Sequence, residues 1–316
     1  IQSIIMTVLT ALTLITITLM GFLLYHRFKL AIAQTVVSNT EGTVESTIDR
    51  VNSDLLDIRQ ISNAANYNII QEYDIASQEF NQQFSLLYET NADKIESLAL
   101  SGREGNLIAS EPVAAEKAGV KATDQEWYKN AADEIENIHF STPHTQNLFV
   151  DGSFRYQRVI SLSRSVDIND GEKPGSGVLL VDMKYSVVEE ILQQINETSN
   201  GAYYYLCSSD GEIIYHPRRI EIDRGLFSEK SRKTVFYEDG TYKISSGDEK
   251  ENVVVGSIAY TGWKLVGVIP ESVQTASINK FRYYILATIL VLLMMLLEGN
   301  RFISRKISKP ILELDE

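Results

Sequence analysis

IIMTVLTALTLITITLMGFLLY, residues 4–25, carries no charge from Ile4 to Tyr25, and YYILATILVLLMMLL, residues 283–297, carries none from Tyr283 to Leu297. A helix rises about 1.5 Å per residue, so about 20 apolar residues cross the roughly 30 Å of bilayer hydrocarbon while satisfying their backbone internally. The first stretch meets that length. The second is extended by Phe281 before it and Phe302–Ile303 after it, with Arg282 and Arg301 placed to snorkel. These two stretches decide the class, with transmembrane helices expected at 4–25 and 281–303 and everything between them on one side of the bilayer.

Charge selects the side. Arg301, Arg305, Lys306 and Lys309 follow the second stretch, and cationic flanks stay in the cytoplasm. Residues 26–280 are therefore expected outside a multi-pass cell-membrane protein, although His26, Arg27 and Lys29 flank the outer end of the first span. A cleaved signal peptide is the competing reading, helped by Ala31-Ile32-Ala33. Its apolar core exceeds the about 7–15 residues of signal peptides.

The chain holds 29 Lys+Arg against 42 Asp+Glu, a formal net charge of −13. A net-negative surface has no counterion-release term to draw on, so nucleic acid is not expected as a partner. The only cysteine, Cys207, excludes an intramolecular disulfide framework, and the about 255 residues between the spans must be held by their own core. Histidine occurs at 26, 139, 144 and 216 without metal-ligand spacing, and no Gly-x-Ser-x-Gly, phosphate loop or dinucleotide fingerprint is present. No cofactor and no active site are expected in this stretch of chain.

After the first span, Val37, Val44, Val51 and Ile58 recur every seventh residue, with Thr40, Thr47–Ile48, Leu55 and Ile61 between them. That stripe predicts a stalk helix over 26–66 facing a partner, or packing on its own sheet in its distal half. Residues 67–93 read as further helix with Phe80, Phe84 and Leu87–Tyr88 on one face. Ile95–Leu100 and Leu107–Ala109 flank a glycine-bounded turn, Asn137–Thr142, Arg155–Val166 and Gly177–Asp182 read as strands, and Lys184–Glu197 as a helix. A second set repeats this order: Ala202–Cys207 and Glu212–Tyr215 around Asp210-Gly211, then Gly240–Ser245, Asn252–Tyr260 and Trp263–Ile269. Each half presents an antiparallel sheet of about five strands, and a helix from Glu271 runs into the second span.

Six segments in this order carry a resemblance to the double Cache (dCache_1) extracytoplasmic sensor domains of bacterial receptors. They are the stalk, Asp124-Gln125-Glu126-Trp127-Tyr128, Phe140-Ser141-Thr142-Pro143, Gly177–Asp182, Asp210–Pro217 and Thr261-Gly262-Trp263-Lys264-Leu265-Val266. The resemblance implies an α+β membrane protein in which two transmembrane helices flank a double PAS-like (double Cache) domain on a long N-terminal stalk helix. The membrane-distal module would span 67–197 and the membrane-proximal one 198–270. In amino-acid-binding members an arginine two positions before a Trp-Tyr pair grips the ligand carboxylate, while an aromatic after the Ser-x-Pro segment and a strand-end aspartate hold the amine. Here Trp127, Tyr128 and Asp182 match, Gln125 takes the arginine's place and His144 the aromatic's. Glutamine lacks the charged fork for a carboxylate, so a ligand bearing an amine or several hydroxyls suits the set best. On the residues alone, Trp127 and Tyr128 could pack a helix on the sheet, Asp182 could cap the next helix, His144 could be an ordinary loop residue, and His216 is read as structural.

Residues 304–316, with Ser308-Lys309-Pro310-Ile311-Leu312-Glu313-Leu314, look like the start of a HAMP linker, which works as a parallel dimer. The expected protein is thus a homodimeric transmembrane receptor for a small amine, amino-acid-like or hydroxylated molecule. Its expected output is first a two-component sensor histidine kinase acting on a response regulator. The alternatives are a methyl-accepting chemotaxis receptor or a diguanylate cyclase, and, in a different class, a non-enzymatic membrane-anchored binding protein. Ligand would shift a two-state population by closing the distal module and moving the stalk against the final helix.

Overall fold

A computed structural model of the chain describes residues 2–133, 138–150, 157–169, 174–199, 201–246 and 249–303. The expected HAMP start, 304–316, and parts of the predicted strands at 137–142 and 155–166 lie outside these. The chain divides into two units, 1–40 with 243–252 and 269–316, and 41–242 with 253–268.

In the first unit, helix α1 (Gln2–Asn63) begins and helix α6 (Glu271–Ile303) ends the description. Both are long and apolar enough to cross a membrane, by length and composition. Their large apolar side chains point outward: Leu12, Leu19 and Phe22 on α1, Leu290, Met294 and Met295 on α6. Such faces suit lipid and not a protein interior. Gly21 lets the two helices close up, since a Cβ there would lie 2.9 Å from Ile289 Cδ1.

The strands form two antiparallel sheets. The first has strands β1 (Ile95–Gly102), β2 (Leu107–Glu111), β3 (His139–Phe140), β4 (His144–Thr145), β5 (Arg158–Asn169) and β6 (Pro174–Lys184), in the order β2-β1-β6-β5-β3, with β4 also on β5. Side chains alternate across it. One face, with Leu98, Leu100, Leu162, Leu179 and Val181, is fully buried on the side of helix α2 (Gln78–Thr90) and the end of α1. The other face receives helix α3 (Glu126–Asp133), and there Ala99, Val178 and Leu180 pack with Trp127, Tyr128 and Ala131.

Helix α4 (Tyr185–Thr198) leads to the second sheet, with β7 (Tyr203–Cys207), β8 (Ile213–Tyr215), β9 (Gly240–Ser246), β10 (Glu249–Ser257) and β11 (Lys264–Pro270) in the order β8-β7-β11-β10-β9. The Asp210-Gly211 turn forms as expected, with Gly211 at φ +86°, a left-handed conformation that glycine adopts without strain. Asn196 acts as a strand surrogate: its Nδ2 donates to the Tyr204 carbonyl at 2.9 Å and its Oδ1 accepts the Tyr204 N–H at 2.9 Å. Tyr185 ties the sheets together, donating to the Ile214 carbonyl at 3.2 Å beneath the Arg158 guanidinium, 4.2 Å from its ring.

The stripe on α1 packs on the chain's own elements, the alternative foreseen for its distal half: Val44, Val51, Leu55 and Ile58 are at most 3% exposed. At Gly256 of β10 the helix comes so close that a Cβ would lie 2.4 Å from Ile48 Cδ1. Over four turns, the 3.5-residue period of a coiled coil and the 3.6-residue period of a helix lying on a sheet cannot be told apart. The helix predicted across 67–93 is two pieces. A π-helical turn, Ala64–Ile70, ends the stalk, and α2 restarts at Gln78, where Ser77 Oγ accepts the Phe80 N–H at 3.1 Å. A serine N-cap of this kind ends a competing helix as well as starting one.

Candidate functional site

Three neighbouring strands place three polar side chains in one row. Ser97 of β1 and Ser161 of β5 both register against Asp182 of β6. Ser97 Oγ donates to Asp182 Oδ2 at 2.7 Å and Ser161 Oγ to Oδ1 at 2.5 Å. Asp182 is 2% exposed. Burial pushes its carboxyl pKa up, against the two serine hydroxyls and the nearby His144, which pull it down. Its bonds run sideways across the sheet, and the N-terminus of α4 has Lys184 as its cap residue with no side-chain bond, so the capping role considered for Asp182 is not what the fold uses.

His144, on β4 opposite Val159, joins this row through Ser161. Its Nδ1 donates to the Thr142 carbonyl at 3.0 Å and lies 3.2 Å from Ser141 Oγ, while its Nε2 lies 3.4 Å from Ser161 Oγ. Ser141 Oγ in turn accepts the Ser161 N–H at 2.9 Å. The imidazole is therefore one hydroxyl away from the Asp182 carboxylate.

Trp127 and Tyr128 open α3 on the same face of the sheet, their rings 5.8 Å apart and edge-on at 69°. Ser163, two residues beyond Ser161, donates to the Trp127 carbonyl at 2.8 Å and pins the helix there. The Tyr128 hydroxyl donates into the β1–β2 turn, 2.8 Å from the Gly102 carbonyl and 2.9 Å from that of Arg103. Both rings are buried, so the packing role foreseen for them holds. Gln125 is half-buried at the start of α3, where its carbonyl accepts the Lys129 N–H at 3.2 Å. The fold thus links His144 with Asp182 and Trp127 with Tyr128 on one face; no described contact joins Gln125 to Asp182. Ser97, Ser161 and Ser141 escaped the sequence reading. Their signal was the serine alternation Ser161, Ser163, Ser165, which marks a polar row on a strand otherwise buried.

A second buried polar cluster lies beside β7 and β8. Glu229 Oε2 accepts from His216 Nε2 and from the Tyr203 hydroxyl, both at 2.9 Å, and Oε1 accepts from the Ser231 N–H at 2.9 Å and its hydroxyl at 2.5 Å. Burial raises this carboxyl, but the four donors together outweigh it and hold the pKa below the ordinary value. His216 Nδ1 accepts the Arg218 N–H at 3.0 Å, which leaves Nε2 as the atom that donates to Glu229. All acceptors of Glu229 are filled by the chain itself, which agrees with a structural His216.

A family model of the Cache domain (dCache_1) matches residues 28–278. The chain belongs to the Cache-domain family. Among curated proteins this Cache chain is 21% identical over 277 residues to a probable methyl-accepting chemotaxis protein of Bacillus thuringiensis, covering 85% of the chain and 39% of that protein. It is 24% identical over 239 residues to the methyl-accepting chemotaxis protein TlpA of Bacillus subtilis, covering 74% of the chain and 33% of that protein. The chain therefore spans about a third of the length of these relatives. Among solved structures, the ligand-binding domain of Mlp24 with asparagine matches at TM-score 0.58 and 16% identity, over 79% of this chain and 98% of that one. The ligand-binding domain of the Pseudomonas aeruginosa chemoreceptor PctB, in complex with L-Arg, matches at TM-score 0.56 and 19% identity, over 78% and 92%. The double Cache fold of the chain is shared with these chemoreceptor domains.

Proposed function

We propose that this Cache chain is the sensory part of a transmembrane chemoreceptor and that its first-sheet module, residues 67–197, takes a small cationic amine against Asp182. The observation that carries the reading is the buried carboxylate itself. Among the described residues it is held by serine hydroxyls and faces His144 across one of them, with no lysine or arginine paired to it. An ionised carboxylate in such a place is costly, and a ligand ammonium compensates it at the moment of binding. Trp127 and Tyr128 wall the same face, His144 offers a polar edge, and Gln125 supplies hydrogen bonds in place of a carboxylate-gripping cation. Amines without an α-carboxylate, or with hydroxyls in its place, are thus favoured over amino acids.

For the output, the methyl-accepting relatives favour chemotaxis. The kinase placed first from the Ser308–Leu314 run moves behind it, the diguanylate cyclase follows, and a merely anchored binding protein comes last. The receptor is membrane-embedded through α1 and α6, with 26–280 outside, and dimeric. The second-sheet module, residues 198–270, is structural. Binding acts as a population shift: about 5.5 kcal/mol of differential affinity moves a receptor from mostly off to mostly on.

The test is a thermal-shift panel on the full chain in nanodiscs, with cadaverine, GABA, L-asparagine, L-arginine and ribose. A rise in Tm with the amine that exceeds the rise with the amino acids supports the proposal. A response confined to α-amino acids, or to ribose, overturns the assignment of ligand class.

A further inference from the structure

Strand β5 has two faces, and both are occupied by contacts that bear on signalling. On one face Ser161 donates to Asp182 and Ser163 to the Trp127 carbonyl of α3. The next side chain, Arg164, emerges on the opposite face by the alternation of a strand. There its Nη1 donates to Asn63 Oδ1 at 2.8 Å, and its guanidinium lies over the Tyr67 ring, 5.5 Å from the centroid, with Nη2 3.5 Å from the Tyr67 hydroxyl. Asn63 is the last α-helical residue of α1, and Tyr67 is in the middle of the π-helical turn that follows. One arginine thus bridges the junction at which a 62-residue helix changes its hydrogen-bond register.

That junction is also where the helix is least well satisfied. The side-chain oxygens of Ser62 and Asn66, one turn apart and buried at 0% and 3% exposure, have no hydrogen-bond partner among the described residues. A π turn accommodates one residue more than an α turn and is rare outside functional positions. Returning the segment to α register would re-aim both oxygens and rotate the chain by one residue, which offers the turn a second register.

We propose that Arg164 is the coupling residue that carries a change at Asp182 to the stalk, by holding or releasing the π-helical end of α1. The inference rests on the reading of the Asp182 face as the sensory site. The connection is short and physical: carboxylate, Ser161 hydroxyl, three residues of one strand, guanidinium, helix end. Occupying or neutralising Asp182 changes the demand on Ser161, shifts β5 against its neighbours, and changes the grip of Arg164 on Asn63 and Tyr67.

The test uses the full chain and no ligand, so it is independent of which molecule binds. Amide hydrogen exchange is followed over residues 63–70 in the unsubstituted chain, Asp182→Asn, Arg164→Lys, Arg164→Gln and the two double variants. Neutralising Asp182 should change exchange over 63–70 by about tenfold, the equivalent of ~1.4 kcal/mol in local opening. In both Arg164 backgrounds the change should fall below about twofold, while exchange in α3, reached through Ser163, still responds. Asn63→Ala removes the acceptor from the helix side and gives the same outcome by a route that leaves β5 untouched. An unchanged 63–70 segment in Asp182→Asn alone, or an equal response with and without Arg164, overturns the proposal. Failure of every amine to bind would instead overturn the ligand reading and leave this result standing.

Discussion

At the scale of single residues, the site is defined by a carboxylate kept where charge is expensive. Burial raises the Asp182 pKa, so the folded state holds the proton more tightly than the unfolded one. The stability it contributes is full below the ordinary value of 3.8 and is lost as pH rises through the raised value. Asp182→Asn should therefore raise Tm of the ligand-free chain at neutral pH, by roughly 2–4 °C for each ~1 kcal/mol relieved, and the gain should close below about pH 4, as read by calorimetry across pH. The same variant should lose amine binding. Glu229 has the opposite sign: its pKa is lowered, so its contribution is present above 4.5 and lost as pH falls through the folded value. Glu229→Gln should cost about 1–3 kcal/mol at neutral pH and flatten the acid limb of the melting profile. Asp182, His144, Trp127, Tyr128 and Gln125 were singled out through the family resemblance of their segments; the fold joins His144 to Asp182 through Ser161 and sets Trp127 against Tyr128, and leaves Gln125 without a described contact to Asp182. Ser97 and Ser161 were not singled out, because the first lies 85 residues from Asp182 and the second 21, and their roles come from strand register.

At the scale of elements, the hairpins, α4 and the second sheet were legible, because strand alternation and the Asp-Gly turn are local signals, whereas the short strand β4 of the first sheet was not foreseen. What spacing leaves open is decided by tertiary packing. The valine stripe of α1 fits a partner seam or the chain's own sheet equally, and Val51, Leu55 and Ile58 are buried against this chain's own elements. The break between the stalk and α2 was hidden by the absence of proline; Ser77, and Asp74 accepting the Ala76 N–H at 2.9 Å, make the turn instead. Close helix–sheet approach gives this element its own test. Gly256→Ala would drive a methyl group against Ile48 and Val44, and should destabilise the chain by about 1–3 kcal/mol in denaturant melts. Ile48→Val in the same chain should recover part of that loss by making room, whereas a surface change such as Ser53→Ala should leave the melt unchanged within ~0.5 kcal/mol.

At the scale of the molecule, two sheets of the same antiparallel kind follow one another on a single helix that begins in an apolar stretch, and the chain ends its described part in another. The two sheets use their polar groups differently. In the second, Glu229 is saturated by His216, Tyr203 and Ser231, and the cluster is closed. In the first, among the described residues, Asp182 is bonded only by hydroxyls beside a face walled by aromatics. That contrast is the ground for proposing that the first-sheet module senses and the second supports. It is tested most directly by a crystal structure of the chain with the best amine of the thermal-shift panel. The ligand nitrogen is expected within hydrogen-bond distance of an Asp182 oxygen, on the face shared with Trp127 and Tyr128. Density for the amine beside Glu229, or anywhere that leaves Asp182 bonded to Ser97 and Ser161 alone, would contradict that expectation.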